Sequence, residues 1–242
     1  MKNNYVKFTI IVSIVLFFLR LIFISETYVV DDEAYYGMYA RYLSWGYIDH
    51  GPVVAMTIWL FSIFGENGLT LRLGALFYVT LMSIILYYFG RKYFHKTFGL
   101  MISLLFSSSL IFHTNSIIIT PDAPLAFFSI LSIILYYIAF FHNERYIYLG
   151  GVCLGIAMLS KISAIFPAIG IALFPVLVKE KRYWLKKPDL YLSFFISAAI
   201  FSPFIIWNIN NDMAFFRYQG EHISRAGTLS NFIELWLGLT LL

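Results

Sequence analysis

Apolar runs long enough to cross a bilayer alternate with short polar segments along most of this chain. A membrane-spanning α-helix needs about 20 apolar residues. The runs predict seven spans and the beginning of an eighth near residue 229. The seven lie at 7–25, 70–90, 98–114, 122–141, 146–162, 163–178 and 189–207. The predicted fold class is therefore all-α, a polytopic transmembrane helical bundle.

The connection between the first two spans, residues 26–69, is predicted to be a large outer loop with two apolar stretches too short to cross. The first stretch, residues 33–45, carries an aromatic stripe with helical spacing: Tyr35, Tyr39, Tyr42 and Trp45. The second, residues 53–64, would extend only about 18 Å as a helix. Both are expected to be helices lying in the interface plane, and packing as loop helices is compatible with that expectation.

The composition is that of an integral membrane protein. Hydrophobic residues make up 60% of the chain and charged residues only 12%, whereas soluble domains carry about 25% charged residues. The sequence pI of about 9.0 is explained by the orientation of basic loops at a membrane. No nucleic-acid partner is therefore expected.

Basic and acidic residues separate onto opposite ends of the predicted spans. The N-terminus and the segments after the second, fourth and sixth spans are basic: Lys2, Lys7, Arg91, Lys92, Lys96, Arg145, Lys179, Lys181, Arg182, Lys186 and Lys187. The other segments are acidic: Glu26, Asp31, Asp32, Glu33, Asp49, Glu66, Asp122, Asp212 and Glu221. Because positive loops stay cytoplasmic, we expect a multi-pass cell-membrane protein with a cytoplasmic N-terminus and an acidic outer face.

Three acidic residues, 31–33, follow the first predicted span directly, and charge placed so near lipid usually has a function. The run DDEAYYGMYARYLSWGYIDHGP at 31–52 resembles the first outer loop of polyprenyl-phosphate-sugar-dependent glycosyltransferases of the GT-C fold. These include the protein O-mannosyltransferases and the bacterial aminoarabinose transferases, glycosyltransferase families 39 and 83. TPDAP at 120–124, GIAMLSK at 155–161 and SPFIIWNINND at 202–212 are similar to the same family, in the same order.

The resemblance implies roles for individual residues. The catalytic base of the family falls on Asp32, and its second outer carboxylate falls on Asp122. Glu33 and Asp49 are expected to support the acceptor or the structure. Binding of the donor phosphate is expected from basic residues of the same face: His50, Lys161, Arg217 and Arg225.

The implied reaction moves a sugar from a polyprenyl-phosphate donor to a hydroxyl or amine of a protein, lipid or polysaccharide, with inversion. The leaving phosphate needs a nearby cation, and the acceptor needs a base. The expected partners are this donor, its acceptor and membrane lipid. No cofactor is assigned; a divalent metal at Asp49 and His50 stays open, although two ligands are not a complete set. Many relatives have Pro-Pro where Gly51-Pro52 stands, and some have Lys in place of His50.

Simpler interpretations stay open beside these. Asp32 and Glu33 are also suited to cap the helix at 33–45, Asp122 is suited to cap the fourth span, and Lys161 can snorkel or pair with Asp122. A transporter or flippase of a lipid-linked or small polar substrate is the alternative function, although such proteins place ionisable residues near the midplane. A scaffold subunit is a third. We expect one transmembrane domain over 1–242, forming the N-terminal part of a longer protein.

Overall fold

A computed structural model of the chain describes residues 4–226, except the side chains of 4, 5, 9 and 223–226. The span predicted from about residue 229 lies outside the described residues. The described helices are α1 (Asn4–Glu26), α2 (Asp31–Arg41), α3 (Val53–Ser62), α4 (Gly68–Tyr93), α5 (Lys96–Ser108), α6 (Leu110–Thr114), α7 (Asp122–Phe141), α8 (Tyr146–Ser160), α9 (Ile165–Leu177), α10 (Pro188–Asn210) and α11 (Ala214–Ala226). Short 3₁₀ helices occupy Ile162–Ala164 and Lys179–Lys186.

The predicted all-α polytopic class is confirmed. Four of the described helices, α1, α4, α7 and α10, are long and apolar enough to cross a membrane. Residues 162–177 together with the 3₁₀ helix at 179–186 would make a fifth, but the two parts meet at an angle of 108°. Helices α5 and α8 lie in the predicted spans and are apolar, but they are shorter than 18 residues.

The basic loops collect at one end of the bundle, which we call the basic end. Lys187 forms an ion pair with Glu144, and the Nζ of Lys181 donates to the carbonyl oxygen of Phe140 at 2.6 Å. The rings of Tyr93 and His142 lie 4.4 Å apart. These contacts join the connections α4–α5, α7–α8 and α9–α10, so the predicted clustering of basic segments is reproduced in three dimensions.

Helix α8 lies between α7 and α10 because its small residues allow backbones to approach closely. A Cβ added at Gly151 would lie 2.3 Å from the carbonyl oxygen of Ser193, and one at Gly150 would lie 2.8 Å from the ring of Tyr136. Small residues at such positions are typical of membrane helix pairs. This packing fixes the C-terminal end of α8, where Lys161 follows.

The first apolar stretch of the outer loop forms a helix that ends earlier than predicted. Helix α2 ends at Arg41 rather than at residue 45, so Tyr42 and Trp45 lie beyond it. The hydroxyl of Tyr47 lies 3.0 and 3.1 Å from the carbonyl oxygens of Tyr39 and Tyr42 and can donate its one proton to either of them where the helix ends. A side chain can replace the next helical turn in this way.

The predicted span 98–114 is divided between α5 and α6 at Ser109. The Nη2 of Arg20 donates to the carbonyl oxygen of Ser107 at 2.7 Å. That oxygen would accept from the backbone of residue 111 in an unbroken helix. Arg20, which is only 3% exposed, thus faces the bundle and satisfies the backbone at the break.

Candidate active site at the acidic end of the bundle

Glu33, in the first turn of α2, is completely buried and forms a two-pronged ion pair with Arg72 of α4. The Nε of Arg72 lies 2.8 Å from Oε1, and its Nη2 lies 2.5 Å from Oε2. The same carboxylate accepts from the backbone N–H of Ile119 at 3.1 Å and from that of Val30 at 3.2 Å. Both oxygens of Glu33 are therefore occupied by protein donors.

Arg72 uses its remaining donors on the end of α1. Its Nη1 donates to the carbonyl oxygens of Ile24 and Thr27, at 3.2 and 3.1 Å, and to the hydroxyl of Thr27 at 2.6 Å. Its Nη2 also donates to the carbonyl oxygen of Tyr28 at 2.7 Å. The ion pair thereby joins α1, α2, α4 and the segment that leads into α7.

Asp32, directly before Glu33, has the opposite environment. Its side chain is exposed, and no described residue forms a hydrogen bond or an ion pair with its carboxylate. Capping of α2 falls to Glu33, which accepts from the backbone N–H of Val30. Asp32 is thus a free carboxylate held on a helix whose first turn is anchored next to it.

Asp122, the first residue of α7, pairs with Lys161, the residue that follows α8. The Nζ of Lys161 lies 2.8 Å from Oδ1 and 3.1 Å from Oδ2. The Asp122 side chain is 46% exposed and that of Lys161 is 32% exposed. The pairing anticipated as one alternative is present, and it leaves both groups accessible.

Asp49 and His50 lie in the connection between α2 and α3. The hydroxyl of Tyr39 donates to Oδ1 of Asp49 at 2.7 Å, and the Nε2 of His50 lies 3.9 Å from Oδ2. Gln219 of α11 donates to the carbonyl oxygen of Asp49 at 3.1 Å. The ring of Tyr39 stacks on Tyr47 with centroids 3.7 Å apart, so a packed aromatic pair holds this part of the site.

The charged residues of the site affect the pKa of His50. Burial is the main cause that lowers the pKa of His50, and the cation of Lys161 acts in the same direction. The carboxylates of Asp49, Asp122 and Asp32 oppose this shift. The imidazole is therefore neutral at pH 7 and responds to four charged groups from different parts of the chain. We call the end of the bundle that contains these residues the acidic end.

Gly51 brings the His50 loop against the end of α8. A Cβ at position 51 would lie 1.8 Å from the carbonyl oxygen of Leu159, which is closer than any two such atoms can approach. Gly46 packs similarly on Trp207, where a Cβ would lie 2.5 Å from the ring. The departure from Pro-Pro noted in the sequence therefore has a structural reason, because only glycine fits this contact.

The last two predicted phosphate ligands are not brought into this cluster by any described contact. Arg217 lies exposed on α11, and within the described residues its side chain forms no hydrogen bond or ion pair. The side chain of Arg225 lies outside the described residues. Helix α11 itself reaches the site through Gln219.

Comparison with known proteins gives one family. A family model described as dolichyl-phosphate-mannose-protein mannosyltransferase matches residues 49–207, which is more than half of the chain. The chain belongs to this family. It is a membrane glycosyltransferase that uses a polyprenyl-phosphate-linked sugar. The matched region includes Asp49, His50, Asp122 and Lys161 and begins after Asp32. Searches of curated proteins and of solved structures gave no match.

A complete metal site is not formed by the described part of this glycosyltransferase. Within that part, no group of three or more His, Cys, Asp or Glu side chains could hold a metal ion. Asp49 and His50 together supply two ligands at most. A metal at this pair would need further ligands from substrate, water or other parts of the chain.

Two residues of the site were not identified from the sequence. Tyr39 was placed on an aromatic stripe but given no contact with Asp49. Arg72 falls inside the predicted span 70–90, and an arginine in a span usually pairs with another polar group of the bundle. That rule could have identified Arg72, but its partner Glu33 lies 39 residues away and could not be read from the pattern.

Proposed function

We propose that this glycosyltransferase transfers a sugar from polyprenyl phosphate to an acceptor hydroxyl or amine at the acidic end of the bundle, on the outer membrane face. The observation that carries the proposal is that a free carboxylate and an accessible cation lie at the same end of the bundle. A free carboxylate, Asp32, shares a region with an accessible cation, Lys161. Transfer from a lipid phosphate needs both a base and a cation.

Asp32 is proposed as the general base. The acceptor hydroxyl transfers its proton to this carboxylate as its oxygen attacks the anomeric carbon of the sugar. The bond from that carbon to the phosphate oxygen breaks, and the electron pair leaves with the polyprenyl phosphate. Attack from the face opposite the phosphate inverts the anomeric centre. A positioned base typically contributes 10²–10⁴-fold to such a step.

Lys161 is proposed to bind the donor phosphate, with His50 as a neutral hydrogen-bond donor beside it. The Lys161 ammonium stabilises the charge that develops on the leaving oxygen. Asp122 pairs with this ammonium before the phosphate binds and supplies the second carboxylate of the site. Asp49, held by Tyr39, is proposed to orient His50 or the acceptor. The position at the end of the bundle suits a donor whose tail remains in the bilayer.

The first candidate substrates are those that the family description names. The family description points to mannose as the first sugar and to a protein hydroxyl as the first acceptor. Other hexoses, aminoarabinose, lipids and polysaccharides fit the same chemistry. We propose a cell-membrane location with the N-terminus in the cytoplasm, because the basic end carries the loops that the positive-inside rule retains there.

The test is transfer by the purified protein in lipid vesicles. Polyprenyl-phosphate donors that carry different sugars would be offered with peptide, lipid and glycan acceptors, and the products analysed by mass spectrometry. A glycosylated acceptor with an inverted anomeric centre is the expected result. Movement of the donor between leaflets without any product would instead support a flippase.

A further inference from the structure

We propose that Arg72 is a positioning residue that acts through Glu33 and fixes the two carboxylates of the reaction, Asp32 and Asp122, relative to each other. The inference rests on the proposed function and adds to it a residue of the matched region 49–207 that none of the sequence motifs includes. Arg72 lies outside the run of acidic and basic residues that resembles the family.

The first step is the geometry of the Glu33 carboxylate. Its Oε1 is shared between the Nε of Arg72, at 2.8 Å, and the backbone N–H of Ile119, at 3.1 Å. Ile119 lies three residues before Asp122 along the chain. Glu33 is also the immediate neighbour of Asp32. A single carboxylate therefore connects the backbone segments that carry both proposed carboxylates.

The second step is the rigidity of the pair. A guanidinium that meets a carboxylate at two points resists rotation in a way that a single contact does not. Arg72 is in turn held by the carbonyl oxygens of Ile24, Thr27 and Tyr28 at the end of α1. The side chains of Arg72 and Glu33 are 2% and 0% exposed, so water does not compete for these contacts.

The third step is to compare a positioning role of the Arg72–Glu33 pair with a role in stability alone. A buried ion pair often contributes no more to stability than apolar residues of similar volume, so stability is a weak explanation for this one. Lys161 and His50 come from the end of α8 and from the loop after α2, and neither forms a hydrogen bond or ion pair with Arg72 or Glu33 among the described contacts. Lys161 pairs with Asp122, but that pair is exposed and contributes little, so Lys161 can still reach a phosphate when Asp122 shifts. A shift of the pair should therefore misplace the carboxylates and leave donor binding intact.

The experiment uses the full chain in lipid vesicles and compares Arg72→Lys with the wild type. Lysine keeps the positive charge but loses the second prong. Misplacement of a reacting group by about 1 Å can cost about 10²-fold in rate, so we expect kcat to fall by roughly 10- to 100-fold. The KM for the donor should stay within about twofold, because a positioning change does not remove binding contacts.

The matched control is Arg41→Gln, which breaks the ion pair between Arg41 and Glu66. That pair joins the end of the same helix, α2, to the connection that precedes α4, with 2.7 Å between its atoms, but it is exposed. Exposed pairs contribute little, so this variant should retain both kcat and KM. A thermal unfolding midpoint for each variant shows whether the fold is retained.

A second variant keeps the inference testable if Arg72→Lys fails to fold. Glu33→Asp keeps the charge and shortens the side chain by one methylene, and we expect the same loss of kcat at unchanged donor KM. Wild-type kcat in the folded variant, or kcat and donor affinity falling together with stability, would overturn the inference. Absence of any sugar transfer by the wild type would instead overturn the proposed function.

Discussion

The ammonium of Lys161 lies 2.8 Å from the Asp122 carboxylate, in an ion pair that joins the end of α8 to the beginning of α7. Both side chains are accessible, at 32% and 46% exposed. An exposed pair of this kind contributes at most about 1 kcal/mol to stability. Lys161 can therefore turn from Asp122 toward a phosphate at low cost.

We expect Lys161→Gln to weaken donor binding. Loss of a charge-assisted hydrogen bond costs about 1.5–3 kcal/mol, so the donor KM should rise by about tenfold or more. The control is Lys187→Gln at the basic end, where the lysine is 30% exposed and also pairs with a carboxylate. Equal effects of the two substitutions on KM would contradict a phosphate-binding role for Lys161.

We expect Asp32→Asn to abolish transfer while the protein still inserts normally. Asparagine has nearly the same shape but cannot accept the proton, so kcat should fall by about 10²–10⁴-fold. The neighbouring Asp31 is also exposed and serves as the control. Asp31→Asn should keep wild-type kcat. Unchanged transfer by Asp32→Asn would remove Asp32 as the base.

We expect Gly51→Ala to reduce both stability and transfer. Its Cβ would meet the carbonyl oxygen of Leu159 at 1.8 Å, so the His50 loop must move away from α8. Overpacking of this kind typically costs about 1–3 kcal/mol. Gly170→Ala in α9 is the control, because a Cβ there has no neighbour within 4 Å. A wild-type unfolding midpoint for Gly51→Ala would show that the loop does not rest on α8.

We expect donor affinity to depend on pH through His50. Burial and Lys161 lower the pKa of this imidazole below its ordinary value of 6.5, against the opposing carboxylates of Asp49, Asp122 and Asp32. Protonation, which adds a cation near the phosphate, therefore occurs only below about pH 6.5. The donor KM should fall as the pH is lowered through that range.

The lowered pKa of His50 also predicts that the stability of the fold depends on pH. Because the unfolded chain binds the His50 proton at a higher pH than the folded chain, the free energy of unfolding should decrease as the pH falls below about 6.5. In His50→Gln, the change in donor KM should disappear and the loss of stability should be smaller. A KM in this variant that still falls with pH would assign the effect to another group.

We expect the acidic end to face outward. Cys153 is buried, and Cys153→Ser gives a background for single cysteines at the exposed positions Asp31 and Lys186. On intact cells, an impermeant maleimide should label Asp31→Cys and leave Lys186→Cys unlabelled until the cells are opened. Labelling of Lys186→Cys alone would show the opposite orientation, with the basic end outside.

The hydrophobic pattern predicted a helix correctly where the residues of the helix itself determine its ends. The predicted span 122–141 coincides with α7, because a continuous apolar run both forms and delimits a membrane helix. The pattern was wrong where a side chain from outside the apolar stretch bonds to the backbone at a helix end. The hydroxyl of Tyr47 bonds to a carbonyl oxygen where α2 ends at Arg41, and Arg20 satisfies the backbone where the run 98–114 breaks.

By itself, the sequence determined the all-α membrane class, the order of the helices and the separation of acidic from basic segments, because hydrophobicity and charge act residue by residue. It also predicted Asp32, Asp122 and Lys161 as members of one site. Only the tertiary structure decided which of the adjacent residues Asp32 and Glu33 is free. That choice depends on Arg72, a partner 39 residues from Glu33, and a contact across that distance exists only once the helices have packed.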